Sequence, residues 1–547
     1  MKAKKFLIIS LAVILAGLGA LSFNSDDKNF EISKQLSIYA ALFREINLFY
    51  VDEVDPGDLV NTGIKSMLKS LDPYTIYYPE SHMEDVKLMT TGEYAGIGAL
   101  ISKKGDEIVI RESYKNSPAT KAGIFPGDII TAIDGNSVQG KSTDDVSELL
   151  KGQPGKELTV KAIREGNPME FKIIREKIQM PSVPYYGMVN DKVGYISFSS
   201  FIQKSGNDVR RALLDLKNKG AESLILDLRG NGGGLLDQAV EISNLFLPKG
   251  SSIVSTRGKL RQLDKEYTTL NNPIAADMPL VLLIDRESAS ASEIVSGALQ
   301  DYDRAVLIGE RSLGKGLVQT VKDLPYNTKM KVTTAKYYIP SGRSIQEIDY
   351  SHRNAEGYAE KIPDSLKKEF TTKAGRKVYD GGGITPDIAI QQGELSKITK
   401  ELIIKDLFFD FANSYALKVD SIPAPAGFVI TDEIYEQFKA FIKNRDFSYE
   451  TESQKVLEKL IKTAKNEKYY DSTQQALEQL KKELTHSIDR DTDLFKEEIS
   501  RFLAEYMMQR YYYSEGVIEY NTHKDEEIAK AVEVLSDKET YLNLLKN

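Results

Sequence analysis

Residues 280–301 read LVLLIDRESASASEIVSGALQD. They open with five consecutive apolar residues, pass through a turn of small and charged side chains, and continue with helical periodicity. A short uninterrupted apolar run followed by a helix is typical of a strand buried on both faces of a parallel sheet. The sequence therefore predicts a strand over 280–284, a tight loop, and a helix that continues to about Asp301.

The same order of elements recurs on both sides of this stretch. Residues 224–228 predict a second buried strand, followed by the glycine turn at 230–234 and a helix through Leu247. Residues 305–308 predict a third strand, which leads into the loop 309–316. Strands that alternate with helices at these spacings predict parallel pairing with right-handed crossovers.

Three loops of unusual composition follow these strands, at 229–234, 286–292 and 309–316. Catalytic groups and ligands of a parallel sheet collect outside the carboxyl ends of its strands. We therefore expect the three loops to converge at one edge of the sheet.

The second loop places Ser290 at the start of a helix. Backbone N–H groups at such a position are available to stabilise an oxyanion beside the hydroxyl. Ser290 and Glu293 also fit a capping box, in which the serine caps the helix and the glutamate returns to the cap. From this loop alone, capping is favoured over catalysis.

The third loop changes that balance, because it places Lys315 between Gly314 and Gly316. Flanking glycines indicate a crowded backbone around a buried ammonium. A catalytic lysine must be neutral to accept a proton, and burial lowers the pKa of a lysine toward neutrality. A phosphate-binding lysine is the alternative, but the GxxxxGK[ST] pattern fails because Gly316 follows the lysine.

Composition narrows the chemistry further. The 547 residues contain no Cys, only four His, and a formal net charge of −8. Thiol nucleophiles, disulfides and most structural zinc sites are thereby excluded, and we expect neither a metal nor a cofactor. The chain has no dense basic block, so nucleic-acid binding is not expected. Serine activated by lysine is one of the few nucleophile–base pairs that remain.

The first 23 residues differ in kind from the rest. Three lysines precede an uncharged apolar run at 6–23. This pattern predicts a secretory signal, and an uncleaved membrane anchor is the competing interpretation. In both cases the rest of the chain is expected in the periplasm or cell envelope.

Four further regions follow from local pattern. Residues 26–90 have helical periodicity, and residues 92–176 carry short strands around a helix-like stretch, which predicts a small β-rich module. Residues 180–395 contain the alternating strands and helices. Residues 396–547 predict a helical appendage, and its role in dimerisation, substrate delivery or adaptor docking stays open.

Several of these segments together resemble the C-terminal processing (tail-specific) serine proteases. The matching segments run in the family's order over about residues 40–395: Gly96–Gly98, Ala122–Asp128, Asp227–Gly234, Ser288–Glu293, Gly314–Gly316 with Gln319, and Gly382–Asp387. The resemblance implies an α/β crotonase/ClpP-like catalytic core with an inserted β-rich PDZ domain, an N-terminal helical region and a C-terminal helical extension.

The resemblance also implies roles for single residues. By position in the motif, Ser290 is the nucleophile rather than Ser288 or Ser292. Lys315 matches the general base, and Gln319 matches the residue that orients this lysine.

Two further roles concern the oxyanion and a supporting acid. The N–H of Ala291 matches one oxyanion donor, and the second is expected from the glycine turn, with Gly233 preferred over Gly232. Asp301 matches an acid sometimes grouped with the dyad. At the far end of the helix, it fits a structural role better than a proton relay.

The PDZ-like module indicates which kind of partner is expected. Its turn Gly96, Ile97 and Gly98 is expected to bind the terminal carboxylate of a protein or peptide substrate with an apolar C-terminus, added as an edge strand. The resemblance thus implies a serine endopeptidase acting on exported proteins. It leaves open whether an empty PDZ module holds the site closed until a tail binds, and whether the chain forms a homo-oligomer.

Two other functions remain possible at this level. One is an exported PDZ scaffold on an inactive protease-like core. The other is an enzyme acting on acyl thioesters with the same core, against which export argues because coenzyme A thioesters are cytoplasmic.

Overall fold

The computed structural model of the protein describes residues 28–391, 393–445, 447–484 and 487–546. It divides into a small unit that ends at Tyr77 and a large unit that starts at Tyr78. The predicted secretory segment lies outside the described residues and stays a prediction. Within the described ranges, no helix is both long and apolar enough to cross a membrane.

Two helices dominate the small unit, α1 (28–49) and α2 (Pro56–Lys69). Helix α2 begins where the Asp55 carboxylate accepts a hydrogen bond from the Asp58 N–H at 2.9 Å, a side-chain cap followed by proline at the first helical position. A short strand, β1 (Ile76–Tyr78), and helix α3 (Met83–Thr91) follow. The helical prediction for 26–90 is confirmed for the helices, whereas β1 was not foreseen.

A β-rich module comes next, with a five-stranded path β3–β4–β5–β7–β8. Its apolar cluster includes Ile110, Val146 and Val160, all fully buried. Its elements are β2 (Glu93–Gly96), β3 (Ala99–Lys104), β4 (Glu107–Ser113), α4 (Pro118–Ala122), β5 (Ile129–Ile133), β6 (Asn136–Ser137), α5 (Thr143–Leu150), β7 (Glu157–Arg164), β8 (Asn167–Ile174) and β9 (Glu176–Gln179).

The catalytic block is built on a six-stranded sheet in the order β10–β11–β12–β15–β16–β23. Its strands are β10 (Tyr185–Met188), β11 (Val193–Ser197), β12 (Ser223–Asp227), β15 (Leu280–Ile284), β16 (Val306–Gly309) and β23 (Ile388–Ala389). Only β10 is antiparallel to its neighbour; the other pairs are parallel. The predicted parallel pairing of the three apolar strands is confirmed.

Three helices cover one face of this sheet: α6 (Ser205–Asn218), α7 (Leu236–Ser243) and α8 (Ala291–Asp301). The prediction that the second of them extends through Leu247 was wrong, since α7 ends at Ser243. From there the backbone tightens, because the N–H groups of Leu245 and Phe246 donate to the carbonyls three residues back, those of Ile242 and Ser243. The Asn244 side chain then accepts the N–H groups of Leu270 and Asn271.

The opposite face is covered by the last two helices of the chain, α16 (Glu526–Ser536) and α17 (Lys538–Leu544). Ile528, Ala531 and Val534 of α16 pack in one buried cluster with sheet residues such as Val281 and Leu283. The prediction of helices over residues 396–547 is confirmed, and the structure adds that α16 and α17 form a layer of the core.

A second sheet and two hairpins complete the catalytic block. The long hairpin β17 (Leu317–Leu324) and β18 (Thr328–Tyr338) pairs through β18 with β13 (Ser252–Gly258), which pairs with β14 (Lys265–Thr268). The polar stretch after β18 forms the hairpins β19 (Ile348–Arg353) with β20 (Ala359–Lys361) and β21 (Glu369–Thr371) with β22 (Lys377–Tyr379).

The remaining helices form a separate apolar cluster. They are α9 (Lys397–Ile404), α10 (Leu407–Ala416), α11 (Asp432–Lys443), α14 (Ile488–Leu494) and α15 (Lys496–Asn521), with the hairpin α12 (Glu452–Asn466) and α13 (Tyr470–Leu484) beside them. Helix α15 is interrupted at Tyr513, where φ is 61°.

The helical region also contacts the β-rich module along β4, through hydrogen bonds and an ion pair. The Arg111 guanidinium donates to both carboxylate oxygens of Asp406, at 2.8 and 2.7 Å. The Glu112 carboxylate accepts the hydroxyl of Ser514 at 2.6 Å, directly after the interruption in α15. Strand β4 pairs with β3, so the helical region supports the strand that lies next to the Gly96–Gly98 turn.

Candidate active site

The three loops predicted to converge are joined by backbone hydrogen bonds. The Ala289 N–H donates to the carbonyl of Asn231 at 3.1 Å, which links the serine loop to the glycine turn. The Leu313 N–H donates to the carbonyl of Ser288 at 3.1 Å, which links the lysine loop to the serine loop. The predicted convergence at one sheet edge is confirmed.

The three serines of the second loop have different surroundings. The Ser288 hydroxyl donates to the Leu228 carbonyl at 2.8 Å, and the Ser292 hydroxyl donates to the Asn231 carbonyl at 2.8 Å. Both of these serines are fully buried. Ser290 is half-buried, so it is the serine of the three that solvent and a substrate can reach.

The backbone at Ser290 has an uncommon conformation, with φ 56° and ψ −111°. A residue with a side chain is rarely held there unless its surroundings enforce it, and such positions cluster at active sites. Ser290 directly precedes helix α8, whose first N–H belongs to Ala291. The strained turn therefore presents the hydroxyl beside the positive end of a helix.

The glycine turn lies against this serine. A Cβ on Gly233 would approach the Ala289 carbonyl oxygen to 2.6 Å and the Ser290 Cβ to 2.8 Å, and Gly233 has φ 96°. Only glycine permits that approach. The Gly233 N–H donates to Asn231 Oδ1 at 2.9 Å, whereas no hydrogen bond from the Gly232 N–H is recorded among the described residues. In this arrangement Gly232 has the available donor, while Gly233 provides the close approach.

The lysine loop is crowded as its glycines indicate. A Cβ on Gly314 would lie 2.6 Å from the Glu347 Cβ, and one on Gly316 would lie 2.9 Å from the Gln346 nitrogen. Lys315 between them is half-buried. Gln319 follows on β17, where its amide nitrogen donates to Thr333 Oγ1 at 3.3 Å. Its orienting role toward Lys315 stays a prediction.

Glu293 does more than cap a helix. One carboxylate oxygen accepts the N–H groups of Ser290 and Lys315 at 2.8 and 2.9 Å. The other accepts the Ser312 hydroxyl and the Gly314 N–H at 2.6 and 2.7 Å. Burial raises the pKa of Glu293, and these hydrogen bonds partly oppose the rise. The capping pattern was visible in the sequence, but its link to the lysine loop was not.

Arg229, next to the glycine turn, was missed by sequence reasoning. Its guanidinium donates to Asp227 at the end of β12, to Asp525 just before α16 and to Glu527 on α16, at 2.6 to 2.8 Å. Burial by itself would lower the pKa of Arg229, but the charges of Asp227 and Asp525 raise it. No local signal connects residues so far apart in sequence.

Asp301 lies at the opposite end of α8 from Ser290. Its carboxylate pairs with Arg343 at 2.9 Å, and both side chains are almost fully buried. It also accepts the Ser341 N–H at 2.9 Å. Burial raises the pKa of Asp301, and Arg343 opposes the rise. These contacts are those of a buried ion pair that ties α8 to the segment after β18.

Two carbonyl groups of the Gly96–Gly98 turn point into the body of the β-rich module. The Ile97 carbonyl accepts the Ala119 N–H at 2.8 Å, and the Gly98 carbonyl accepts the Tyr114 N–H at 2.9 Å. In a trans peptide the C=O and the following N–H point in opposite directions. The N–H groups of Gly98 and Ala99 therefore point out of the module, and carboxylate binding at this turn stays a prediction.

Across the described ranges, no three His, Asp or Glu side chains are grouped so that they could hold a metal ion.

Comparison with known families matches three segments of the chain. Residues 192–351 match peptidase family S41, residues 109–164 match the PDZ domain, and residues 398–535 match the C-terminal helical domain of a probable PDZ-protease. The β-rich module is hereafter called the PDZ domain, and the helical region the helical domain.

Among curated relatives, a carboxy-terminal-processing protease of Bartonella bacilliformis is 36% identical over 349 residues, which cover 63% of this chain and 78% of the relative. A probable CtpA-like serine protease of Staphylococcus aureus is 36% identical over 309 residues, covering 56% of this chain and 61% of that protein.

Two solved structures are also similar. The photosystem II D1 C-terminal processing protease is 26% identical, with a TM-score of 0.37, 64% of this chain and 92% of that chain covered. An S41 protease of Bacteroides fragilis is 20% identical, with a TM-score of 0.36 and coverages of 52% and 79%. The identity and coverage of the Bartonella relative carry the assignment: the chain belongs to the carboxy-terminal-processing proteases of peptidase family S41, a family of serine-type peptidases, and it carries a PDZ domain.

Proposed function

We propose that the protein is a Ser/Lys-dyad endopeptidase that binds the C-termini of exported proteins through its PDZ domain and cleaves them. The observation that carries the dyad is the contrast among the three serines. The hydroxyls of Ser288 and Ser292 are committed to buried carbonyls, while half-buried Ser290 stands in a strained turn whose backbone shares Glu293 with that of Lys315.

In the proposed reaction the Ser290 oxygen attacks the carbonyl carbon of the scissile peptide. Neutral Lys315 accepts the hydroxyl proton as the C–O bond forms. The resulting ammonium returns that proton to the leaving amine as the C–N bond breaks, which leaves an acyl-enzyme. Water then attacks the ester with Lys315 again as base, and the acid product leaves Ser290 regenerated.

The tetrahedral intermediates need donors for the oxyanion. The Ala291 N–H is the first of α8 and lies beside Ser290, so it is one proposed donor. The second comes from the glycine turn. The Gly232 N–H is the better candidate in this arrangement, because the Gly233 N–H is held by Asn231. Gln319 is proposed to orient Lys315.

We further propose that the substrate tail adds to β3 of the PDZ domain, with its carboxylate at the N–H groups of Gly98 and Ala99. Apolar last residues fit the buried surroundings of Ile97. The α/β core is proposed to share the crotonase/ClpP-like architecture, supported by its parallel strands β11, β12, β15 and β16.

Export is proposed from residues 1–23, as a signal or an anchor that places the catalytic block in the periplasm or cell envelope. Fractionation of cells, with protease added before and after the outer barrier is opened, tests this. Protection of the protein from protease until the cytoplasmic membrane is broken would contradict it.

The dyad is tested with purified Ser290→Ala and Lys315→Ala variants and an unfolded protein substrate that ends in apolar residues. Both variants are expected to lose cleavage by at least about a hundredfold, because nucleophile and base act as a unit. Lys322→Ala, an exposed lysine on β17, is the matched control and should cleave normally. Full activity of either dyad variant overturns the assignment.

Tail recognition is tested by amidating or adding aspartates to the C-terminus of that substrate. A charged or blocked tail removes the carboxylate or its apolar setting, so cleavage should slow mainly through a higher KM. Deletion of residues 92–176 should abolish this discrimination, and unchanged discrimination after the deletion would refute the role of the PDZ domain.

A further inference from the structure

Two side chains each join the backbone of Ser290 to that of Lys315. The Glu293 carboxylate accepts both N–H groups, at 2.8 and 2.9 Å. On the carbonyl side, the Tyr337 hydroxyl donates to the Lys315 oxygen at 2.6 Å and lies 3.1 Å from the Ser290 oxygen. The main chains of the proposed nucleophile and base are thus held together through their N–H groups by one residue and through their carbonyls by another.

Tyr337 is itself held firmly in place. It lies near the end of β18, where its N–H donates to the Gly316 carbonyl at 3.0 Å. Its side chain is 1% exposed and belongs to the large apolar cluster under α8. A buried ring whose hydroxyl is also held by a short hydrogen bond has little freedom, so the hydroxyl marks a fixed point to which the lysine loop is attached.

We propose that Tyr337 is a positioning residue of the catalytic reaction, which fixes the Lys315 backbone relative to Ser290 through its hydroxyl. The inference rests on the proposed Ser/Lys dyad. Ser290 follows β15 and Lys315 follows β16, so their relative placement depends on contacts between two loops. The lysine side chain is a flexible four-carbon stem, and its amine reaches the serine reproducibly only if its backbone is held.

The chain offers a clean way to remove this contact. Tyr337→Phe deletes one oxygen and leaves the ring in the core. Tyr338→Phe is the matched control: Tyr338 is the next residue on β18, and its ring lies 4.5 Å from the Arg257 guanidinium rather than at the site. Glu293 is a poorer target, because its loss would leave several buried donors without an acceptor.

The experiment measures the second-order rate constant for labelling of Ser290 by a fluorophosphonate. This readout needs the nucleophile and its base but no tail binding, and slow variants are followed at higher reagent concentration. Tyr337→Phe should label about tenfold or more slowly, since small displacements of a catalytic group cost large factors in rate. Tyr338→Phe should label within about twofold of the unmodified protein.

The same substitution is then made in Lys315→Ala protein. If Tyr337 acts through Lys315, Tyr337→Phe should change the residual labelling by less than about twofold there, because coupled residues are not additive. A general loosening of the fold would slow labelling equally in both backgrounds. Equal slowing, or a normal rate for Tyr337→Phe alone, overturns the proposal.

The outcomes separate this proposal from the dyad beneath it. If Lys315→Ala suppresses labelling and Tyr337→Phe does not, the dyad stands and the positioning role is wrong. If Lys315→Ala labels at the normal rate, the dyad is wrong and the role of Tyr337 through Lys315 is wrong with it.

Discussion

The two faces of the catalytic sheet are covered by helices of different origin. One face is covered by α6, α7 and α8, which lie between the strands in sequence and pack back on them. The other face is covered by α16 and α17, from the far end of the chain. The first face is therefore covered by the same segment that makes the strands, whereas the second is covered only when α16 and α17 pack against it.

The strand β15 shows the consequence residue by residue. Leu280, Leu282 and Ile284 face the first set of helices, and Val281 and Leu283 face the second, all with no exposed surface. Its uninterrupted apolar run predicted that both faces of the strand are buried. Which helices bury the second face depends on contacts with α16 and α17, which lie far from β15 in the sequence.

The largest expected effect comes from ending the chain at Lys524, which removes α16 and α17. Residues such as Val281 and Leu283 would then be exposed as one apolar patch, so the shortened protein should aggregate or fail to fold. Soluble yield, size-exclusion elution and thermal unfolding measure this.

Replacing the hairpin α12–α13 by a short Gly/Ser linker is the matched control. This hairpin forms its own small cluster of buried residues, so its removal should leave the core folded. If a chain ending at Lys524 unfolds at the same temperature as the full protein, α16 and α17 are not needed for the stability of the core.

A smaller effect on stability compares the packing of the two faces at strand β15. Leu282→Ala and Leu283→Ala remove the same atoms from adjacent, fully buried positions on opposite faces. Each should lower the free energy of unfolding by about 2–5 kcal/mol, the range for leucine-to-alanine changes in packed cores. Denaturant titration compares them, and a cost below about 1 kcal/mol for Leu283→Ala alone would mean that the second face is loosely packed.

The smallest expected effect is on stability, and it concerns the charges of Arg229 and Glu527, which join the segment beside the glycine turn to α16. Burial raises the pKa of Glu527 above its ordinary value of 4.5, and Arg229 opposes the rise. The stability linked to this shift is present below the ordinary pKa and is lost as the pH rises through the raised value. Glu527→Gln does not titrate, so the stability of the unmodified protein minus that of the variant should fall across this window.

Urea titrations between pH 4 and pH 8 measure that difference, with Glu533→Gln, an exposed change on the same helix, as the control for losing a helix charge. A difference that rises with pH would show that the pairing with Arg229 outweighs burial.

Much of the fold was predictable because its signals are local. The strand 280–284 was predicted to the residue. The helix before Pro248 was predicted too long, because an apolar pattern continues after the backbone has left helical geometry. The short strand β1 has too few residues to produce a periodic signal.

The candidate active site was likewise predictable only in part. The sequence predicted that three loops meet, since that follows from parallel topology. It did not distinguish Ser288, Ser290 and Ser292 by spacing, because their difference lies in which hydroxyl reaches a carbonyl of the neighbouring turn. The connection of Glu293 to the lysine loop and that of Arg229 to α16 were likewise invisible, since both join segments that are distant in sequence.

The sequence by itself determined the alternating strands and helices, the loops that carry Ser290 and Lys315, and the exclusion of thiol chemistry. These depend on residue types and on periods of a few residues, which local backbone geometry dictates. The tertiary structure decided which serine is accessible, which glycine N–H is available, and that α16 and α17 form a layer of the catalytic core. Those outcomes depend on distances between groups far apart in the chain, which only the packed fold sets.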